Sequence, residues 1–186
     1  DYRWNGIIVS KHILKRVFST PFIFLALVLF SIAALASALI AQYAFGLHPC
    51  QLCIYQRVPF VVAILIGLCG LYAERKNFIA LRNGALGLLG LTFLANTVIA
   101  GFHTGVERKW WKGLEGCSAP DMTGSMAEIL ERIKSAPIAR CDEIPWADPI
   151  LGLSMANYNF IFCLGVAVYC AIVFTKTLKH KEPKTK

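Results

Sequence analysis

Residues 17–56, VFSTPFIFLALVLFSIAALASALIAQYAFGLHPCQLCIYQ, contain no Asp, Glu, Lys or Arg. A helix needs about 20 apolar residues to cross the hydrocarbon core of a bilayer, and this run exceeds that length. Three further charge-free stretches follow it, at 58–73, 83–106 and 149–175. We therefore predict an all-α membrane protein, a bundle of four transmembrane helices at about 22–45, 54–73, 84–104 and 150–174.

The composition supports the same class of protein. Of the 186 residues, 56% are hydrophobic and only 16% are charged. A soluble domain of this length rarely carries so much apolar sequence. The length suits one domain, so we predict a single membrane domain over residues 1–186.

The first apolar segment also has features of a signal peptide. Lys11, Lys15 and Arg16 would form a basic region, and Ala36-Ser37-Ala38 resembles a cleavage site. However, the apolar run from Val17 is much longer than the roughly 7–15 residues of a signal core. We therefore expect the segment to be retained as a transmembrane helix.

The net charge of +8 could suggest nucleic-acid binding, but the distribution of the basic residues argues against it. Most of them flank the predicted spans on one side of the membrane. These are Arg3, Lys11, Lys15, Arg16, Arg75, Lys76, Arg82, Lys176, Lys179, Lys181, Lys184 and Lys186. The positive-inside rule then places both termini in the cytoplasm, and the first and third loops outside.

The third loop, residues 105–149, is long and contains an amphipathic stretch at 122–136. Its apolar face consists of Met122, Met126, Ile129, Leu130 and Ile133. Ser125 and Glu128 have the spacing of a capping box, so a short helix is predicted. It would lie on the membrane surface or pack on the outer ends of the bundle.

The predicted topology divides the seven cysteines into two groups. Three lie inside predicted spans and are expected to be buried apolar residues: Cys69, Cys163 and Cys170. Four lie on the outer side, where disulfides persist: Cys50, Cys53, Cys117 and Cys141. A bridge between the last two would close a loop of about 25 residues and stabilise the fold by roughly 3 kcal/mol. Glycines and prolines around it favour a mobile segment, which would give an outside protein access to the sulfur atoms.

The Cys50-x-x-Cys53 pair favours reactivity, because so short a ring constrains little of the chain. Pro49 is predicted to open the second helix, which places both thiols in its first turn, where the helix dipole lowers a thiol pKa. Arg57 shares their helical face about one turn deeper, roughly 6 Å below Cys53. A positive charge there would stabilise a thiolate or an anionic cofactor, although a snorkelling arginine would also fit.

A zinc site is the main alternative for paired cysteines. The outer pair is separated by 23 intervening residues, and only His48 and His103 are candidates to complete the ligand set. This differs from the usual ligand spacing, so no metal is predicted.

Together, these segments resemble the DsbB family of bacterial membrane thiol oxidases, over roughly residues 20–175. The resemblance rests on PCQLCIYQR at the start of the second span, HTGVERKWW after the third, the loop cysteines, and WADPILGLSMANYNF before the fourth. It implies a protein of the bacterial inner membrane with periplasmic active cysteines. Its expected partners are a DsbA-like thioredoxin-fold protein, membrane lipid, and a quinone cofactor, ubiquinone or menaquinone.

The resemblance also implies a role for each site residue. The partner's thiol would attack Cys117, and the released Cys141 would exchange with Cys50. Cys53 would then pass the electron pair to quinone, with Arg57 supporting quinone binding and the thiolate charge. His103 would lie near the quinone.

One departure from the family concerns the residue before the arginine. Some members carry an acid there, whereas this chain has Gln56, so no proton donor for quinone reduction is evident. Three other classes remain as alternatives. A vitamin K epoxide reductase-like protein would have its loop cysteines before the C-x-x-C, a metal-binding tetraspan would need acids or histidines within the spans, and a purely structural tetraspan would leave Arg57 unexplained.

Overall fold

The computed structural model describes residues 20–114, 117, 123–135 and 139–179. These ranges contain the helices α1 (Thr20–Tyr43), α2 (Gln51–Arg75), α3 (Ile79–Glu107), α4 (Met126–Ser135) and α5 (Met155–Lys179). No β-strand occurs in the described ranges, where a single antiparallel bridge joins Ala147 and Ser154. The basic N-terminal tail, Met122 and the chain beyond Lys179 lie outside the described residues.

Four of the helices, α1, α2, α3 and α5, are long and apolar enough to cross a membrane. α3 packs against both α2 and α5, and α1 packs against α2. Large apolar side chains such as Leu29, Leu65 and Leu91 are exposed on the outside of the bundle, as expected for helices surrounded by lipid. The prediction of an all-α bundle of four membrane-spanning helices is confirmed.

Aromatic rings fill the centre of the bundle. The ring of Phe30 on α1 lies 6.0 Å from that of Phe60 on α2 and 6.1 Å from that of Phe93 on α3. Small residues allow α1 and α2 to approach closely, since a Cβ atom added at Gly70 would overlap the buried ring of Phe24. This use of glycine is typical of helix packing in membranes, where close van der Waals contact replaces the hydrophobic effect.

The start of α2 differs from its prediction by one turn. The helix begins at Gln51 rather than near residue 54, and Cys50 is its N-cap, with an extended backbone. The backbone N–H of Cys53 donates to the Cys50 sulfur at 3.3 Å, so a thiol does the capping that Ser or Asp usually does. The prediction that Pro49 occupies the first helical position is therefore wrong.

The start of α5 also differs, because apolar residues before it form a turn. The Asp148 carboxylate accepts a 2.6 Å hydrogen bond from the backbone N–H of Leu151, and Gly152 has a φ of 64°. The Ser154 hydroxyl then accepts from the Asn157 N–H and begins the helix. The span predicted from residue 150 thus starts at Met155, although the charge-free run itself is longer.

The third loop contains the predicted short helix. α4 begins after the capping box, in which the Ser125 N–H donates to the Glu128 carboxylate at 2.9 Å and the Glu128 N–H donates to the Ser125 hydroxyl at 3.4 Å. Met126, Leu130 and Ile133 are exposed along one side of it. Its contact with the membrane surface stays a prediction.

Candidate functional site

The Cys50-x-x-Cys53 pair lies where α2 begins. Cys50 is buried and Cys53 is half-buried, and their sulfur atoms are 3.0 Å apart. The pKa of the Cys50 thiol is lowered to about 4, mainly by hydrogen bonding with Cys53 and also by the neighbouring His103, against the opposing effect of burial. Cys50 is therefore a thiolate at neutral pH when the pair is reduced, and a thiolate is the nucleophile in disulfide exchange.

The loop cysteines form a disulfide beside this pair. Cys117 and Cys141 are bonded to each other, and the Cys141 N–H donates to the Cys117 carbonyl at 2.7 Å. Both belong to the same buried cluster as Cys50, together with Leu52 and Val106. The tertiary structure thus brings the two cysteine pairs into one apolar environment.

The exposure of the loop disulfide differs from the sequence-based expectation. Cys117 is 1% exposed and Cys141 is 0% exposed, although we expected an accessible disulfide in a mobile segment. Cys141 is preceded by Arg140, which is held by ion pairs with Asp142 and Glu143 at 2.8 Å. An outside thiol can therefore reach either sulfur only after the loop moves.

Arg57 faces α1. Its Nη1 donates a 2.7 Å hydrogen bond to Oε1 of Gln42, and its Nη2 lies 3.5 Å from the Ala38 carbonyl oxygen. Among the described residues its hydrogen bonds run to α1 and not to the thiols that we expected above it. Gln42 was missed from the sequence, where its only signal is an amide near the end of a long apolar run.

His103 lies directly beneath Cys50. Its Nε2 is 3.5 Å from the Cys50 sulfur, and the side chain is 3% exposed. Its Nδ1 is 2.7 Å from the amide of Gln56, and Gln56 in turn accepts a 2.6 Å hydrogen bond from Asn159 on α5. Gln56, the residue before Arg57, is therefore the α2 side chain that joins the cysteine site to α3 and α5.

A buried carboxyl group completes this cluster. Glu107, the last residue of α3, is 8% exposed, and its Oε1 lies 3.8 Å from Nε2 of His103. The Ser154 hydroxyl donates to its second oxygen. Sequence reasoning gave no site role to Glu107, Gln56 or Asn159, although all three lie in the stretches that carry the family resemblance. They come from three different helices, and only the packing of these helices brings their side chains together.

The thiols and the imidazole are also groups that can bind a metal ion. Ligand atoms of Cys50, Cys53 and His103 lie within 4.8 Å of one another. A structural zinc site uses four protein ligands, and this cluster supplies three, so we do not assign them as metal ligands. The prediction of no metal site stays a prediction.

Known proteins resemble this chain over most of its length. The family described as Disulfide bond formation protein DsbB matches residues 20–173. An uncharacterized protein of Rickettsia prowazekii, RP370, is 31% identical over 80% of this chain and 84% of its own length.

Several relatives carry the name Disulfide bond formation protein B, and two of them illustrate the similarity. The protein of Xylella fastidiosa strain Temecula1 is 30% identical over 82% of this chain and 88% of its own. That of Haemophilus influenzae strain Rd is 26% identical over 92% of this chain and 96% of its own. The chain therefore belongs to the DsbB family and is a multi-pass membrane oxidoreductase of disulfide bond formation.

Proposed function

We propose that this protein oxidises a reduced DsbA-like thioredoxin-fold partner and passes the electron pair to a membrane quinone, ubiquinone or menaquinone. The observation that carries the proposal is the shared buried cluster of Cys50, Cys117 and Cys141, because exchange between two disulfides requires their sulfur atoms to meet. In this proposal the protein lies in the bacterial inner membrane, with cytoplasmic termini and its four active cysteines in the periplasm.

The exchange steps balance in electrons. A thiolate of the partner attacks Cys117, and Cys141 leaves as a thiolate that attacks Cys50 and displaces Cys53. The second thiol of the partner then releases the oxidised partner and frees Cys117. Cys117 attacks Cys141, which restores the loop disulfide and leaves Cys50 and Cys53 reduced, carrying the two electrons.

The surroundings of Cys53 fit a quinone. Cys53 is half-buried, and the neighbouring Ile54 and Val58 of α2 are exposed on the outside of the bundle, where an apolar cofactor diffuses. Arg57 lies one turn deeper, and a guanidinium has five N–H donors, more than its two contacts with α1 use. A bound quinone supplies a two-electron acceptor; Cys53 would deliver the electron pair and Arg57 would bind the oxygen that becomes negative.

A turnover assay tests the proposal. Purified protein is mixed with a reduced DsbA-type protein and a short-chain quinone, and quinone reduction is followed by absorbance. We expect Cys53→Ser to abolish the reaction and Cys69→Ser, a change in an exposed cysteine on the same helix, to leave it unchanged. A Cys53→Ser protein as fast as the parent would overturn the proposed electron path.

A further inference from the structure

A chain of polar side chains runs from Cys50 into the bundle. This series of polar contacts runs from the Cys50 sulfur to His103 and then to Gln56. Gln56 contacts Asn159, and Asn159 accepts a 3.1 Å hydrogen bond from the Cys163 thiol. Buried polar groups in an apolar bundle are costly unless they are satisfied by one another. The thiol exchange steps use none of these side chains except Cys50. The exchange steps therefore do not explain why the other polar side chains are buried together.

The two ring nitrogens of His103 have different neighbours. Nε2 faces the Cys50 sulfur at 3.5 Å and the Glu107 carboxyl at 3.8 Å, whereas Nδ1 faces the Gln56 amide at 2.7 Å. An amide can present its carbonyl oxygen or its NH₂ group, and Asn159, also an amide, can turn with it. In the structure the NH₂ group of Gln56 faces Nδ1 and its oxygen accepts from Asn159. When both amides turn over, the carbonyl oxygen of Gln56 accepts a hydrogen bond from Nδ1–H, and Nε2 is free to act as a base.

A thiol, an imidazole and an orienting amide in this order also activate the nucleophile of cysteine proteases. We propose that Cys50, His103 and Gln56 form such a triad, in which Nε2 takes the proton of Cys50 and delivers it to Glu107. The S–H bond breaks with its electron pair left on sulfur, and an N–H bond forms at Nε2. That N–H bond then breaks as the proton binds Oε1 of Glu107, so no atom is oxidised or reduced in the transfer.

Glu107 is suited to hold the proton because of its position. It is buried at the outer end of α3, and the Ser154 hydroxyl fixes one carboxyl oxygen while the other faces His103. The titratable or charged groups around it are Cys50 and Cys53 from α2 and His103 and Arg108 from α3; α5 contributes the neutral Ser154 and Asn157. In the reduced protein the thiolate of Cys50 adds negative charge beside the carboxylate, which favours protonation of Glu107.

This inference rests on the proposed function, since it concerns where the proton goes when the reduced Cys50 is held as a thiolate, but it can be tested without quinone or partner. The reduced full-length protein is treated with iodoacetamide between pH 4 and 9, and tandem mass spectrometry separates modification at Cys50 from that at Cys53. We expect His103→Ala and Gln56→Leu to slow alkylation of Cys50 at pH 4 by about fivefold, the effect at that pH of raising a pKa of about 4 by one unit. Glu131→Gln, in the exposed α4, is the matched control and should leave the rate unchanged.

The conservative variant Gln56→Glu separates positioning from packing. A carboxylate also accepts a hydrogen bond from Nδ1, so Gln56→Glu should keep the rate of the parent, while the apolar Gln56→Leu should not. A parent-like rate in His103→Ala, or equal slowing in Gln56→Glu and Gln56→Leu, would refute the triad.

Infrared difference spectroscopy tests the role of Glu107 directly. Reduction of the Cys50–Cys53 disulfide should produce the C=O stretch of a newly protonated carboxyl group, which disappears in Glu107→Gln, persists in Glu131→Gln and shifts in Glu107→Asp. A parent without the band, or a band that survives in Glu107→Gln, would exclude Glu107 as the proton acceptor. Loss of quinone reduction in the parent with these signals intact would instead reject the proposed function and leave the triad standing.

Discussion

The guanidinium of Arg57 on α2 donates a 2.7 Å hydrogen bond to the side-chain oxygen of Gln42 on α1. A cation within a membrane-spanning helix requires a polar partner. A carboxylate partner would satisfy the guanidinium and also neutralise it, whereas the neutral amide of Gln42 orients it and leaves its charge in place. Arg57 is thus held with its full positive charge about one turn below Cys53.

Gln42→Glu tests whether this charge is needed. The substitution keeps an oxygen within reach of Arg57 but adds a negative charge, so we expect the rate of quinone reduction at low quinone concentration to fall about tenfold, which corresponds to about 1.4 kcal/mol. The kcat and KM for a short-chain quinone are measured in parallel for Ser37→Ala, an exposed position of α1 whose hydroxyl bonds only its own helix. Equal kinetics in Gln42→Glu and the parent would show that the charge of Arg57 is not used.

The pKa of Cys50 predicts how the stability of the reduced protein depends on pH. It falls from an ordinary value of 9.0 to about 4 in the folded protein, mainly through hydrogen bonding with Cys53. Because the folded-state pKa of an acid is lowered, the stabilisation is complete above pH 9 and is lost as the pH falls towards 4. The Tm of the reduced parent should therefore rise from pH 4 to pH 9 relative to that of reduced Cys50→Ser. Parallel curves for the two proteins would contradict the low pKa.

The order of the loop cysteines can be established by trapping. Cys141→Ser leaves Cys117 without its internal partner, so a mixed disulfide between Cys117 and a reduced DsbA-type protein carrying a single active-site thiol should accumulate after oxidation. Non-reducing electrophoresis followed by mass spectrometry identifies the bonded residue. The control Cys170→Ser changes a buried cysteine of the core and should give the same pattern of adducts as the parent. An adduct at Cys50 instead of Cys117 would reassign the entry point.

The close approach of α1 and α2 predicts a difference between two glycines. A methyl group at Gly70 would overlap the ring of Phe24, whereas a methyl group at Gly84 would meet nothing within 4 Å. Overpacking of this kind typically costs about 1–3 kcal/mol, so Gly70→Ala should lower the Tm in detergent and Gly84→Ala should not. Equal melting temperatures for the two variants would show that α1 and α2 accommodate the added methyl group without a loss of stability.

The four spans were largely predictable, because lipid requires long uninterrupted apolar helices. Of the three cysteines within the spans that were expected to be buried, Cys163 and Cys170 are buried and Cys69 is exposed. The first residues of α2 and α5 were less predictable. Cys50 caps α2, and a turn at Asp148 and Gly152 lies inside an apolar run, where hydropathy gives no sign of it. The capping box of α4 was predictable because its two residues are close in sequence.

The site shows the same division between local and tertiary information. The reactive pair was recognisable from its spacing and from the family resemblance, but the contacts of the side chains beneath it were not. Arg57 and Gln56 are adjacent, and only the packing of α2 between α1 and α3 decides that Arg57 turns to Gln42 while Gln56 turns to His103. Glu107 lies in the HTGVERKWW stretch and at the end of a charge-free run, but neither feature indicates that its carboxyl group turns towards His103.

The burial of the loop disulfide has a consequence for selectivity. A small thiol that reached this disulfide would be oxidised in place of a protein, and no protein disulfide would be made. Cys117 and Cys141 are almost fully buried, which hinders direct attack on the sulfur atoms by small thiols. In the proposed function a protein partner would supply the binding energy that exposes them, so their burial would favour a protein substrate over small thiols.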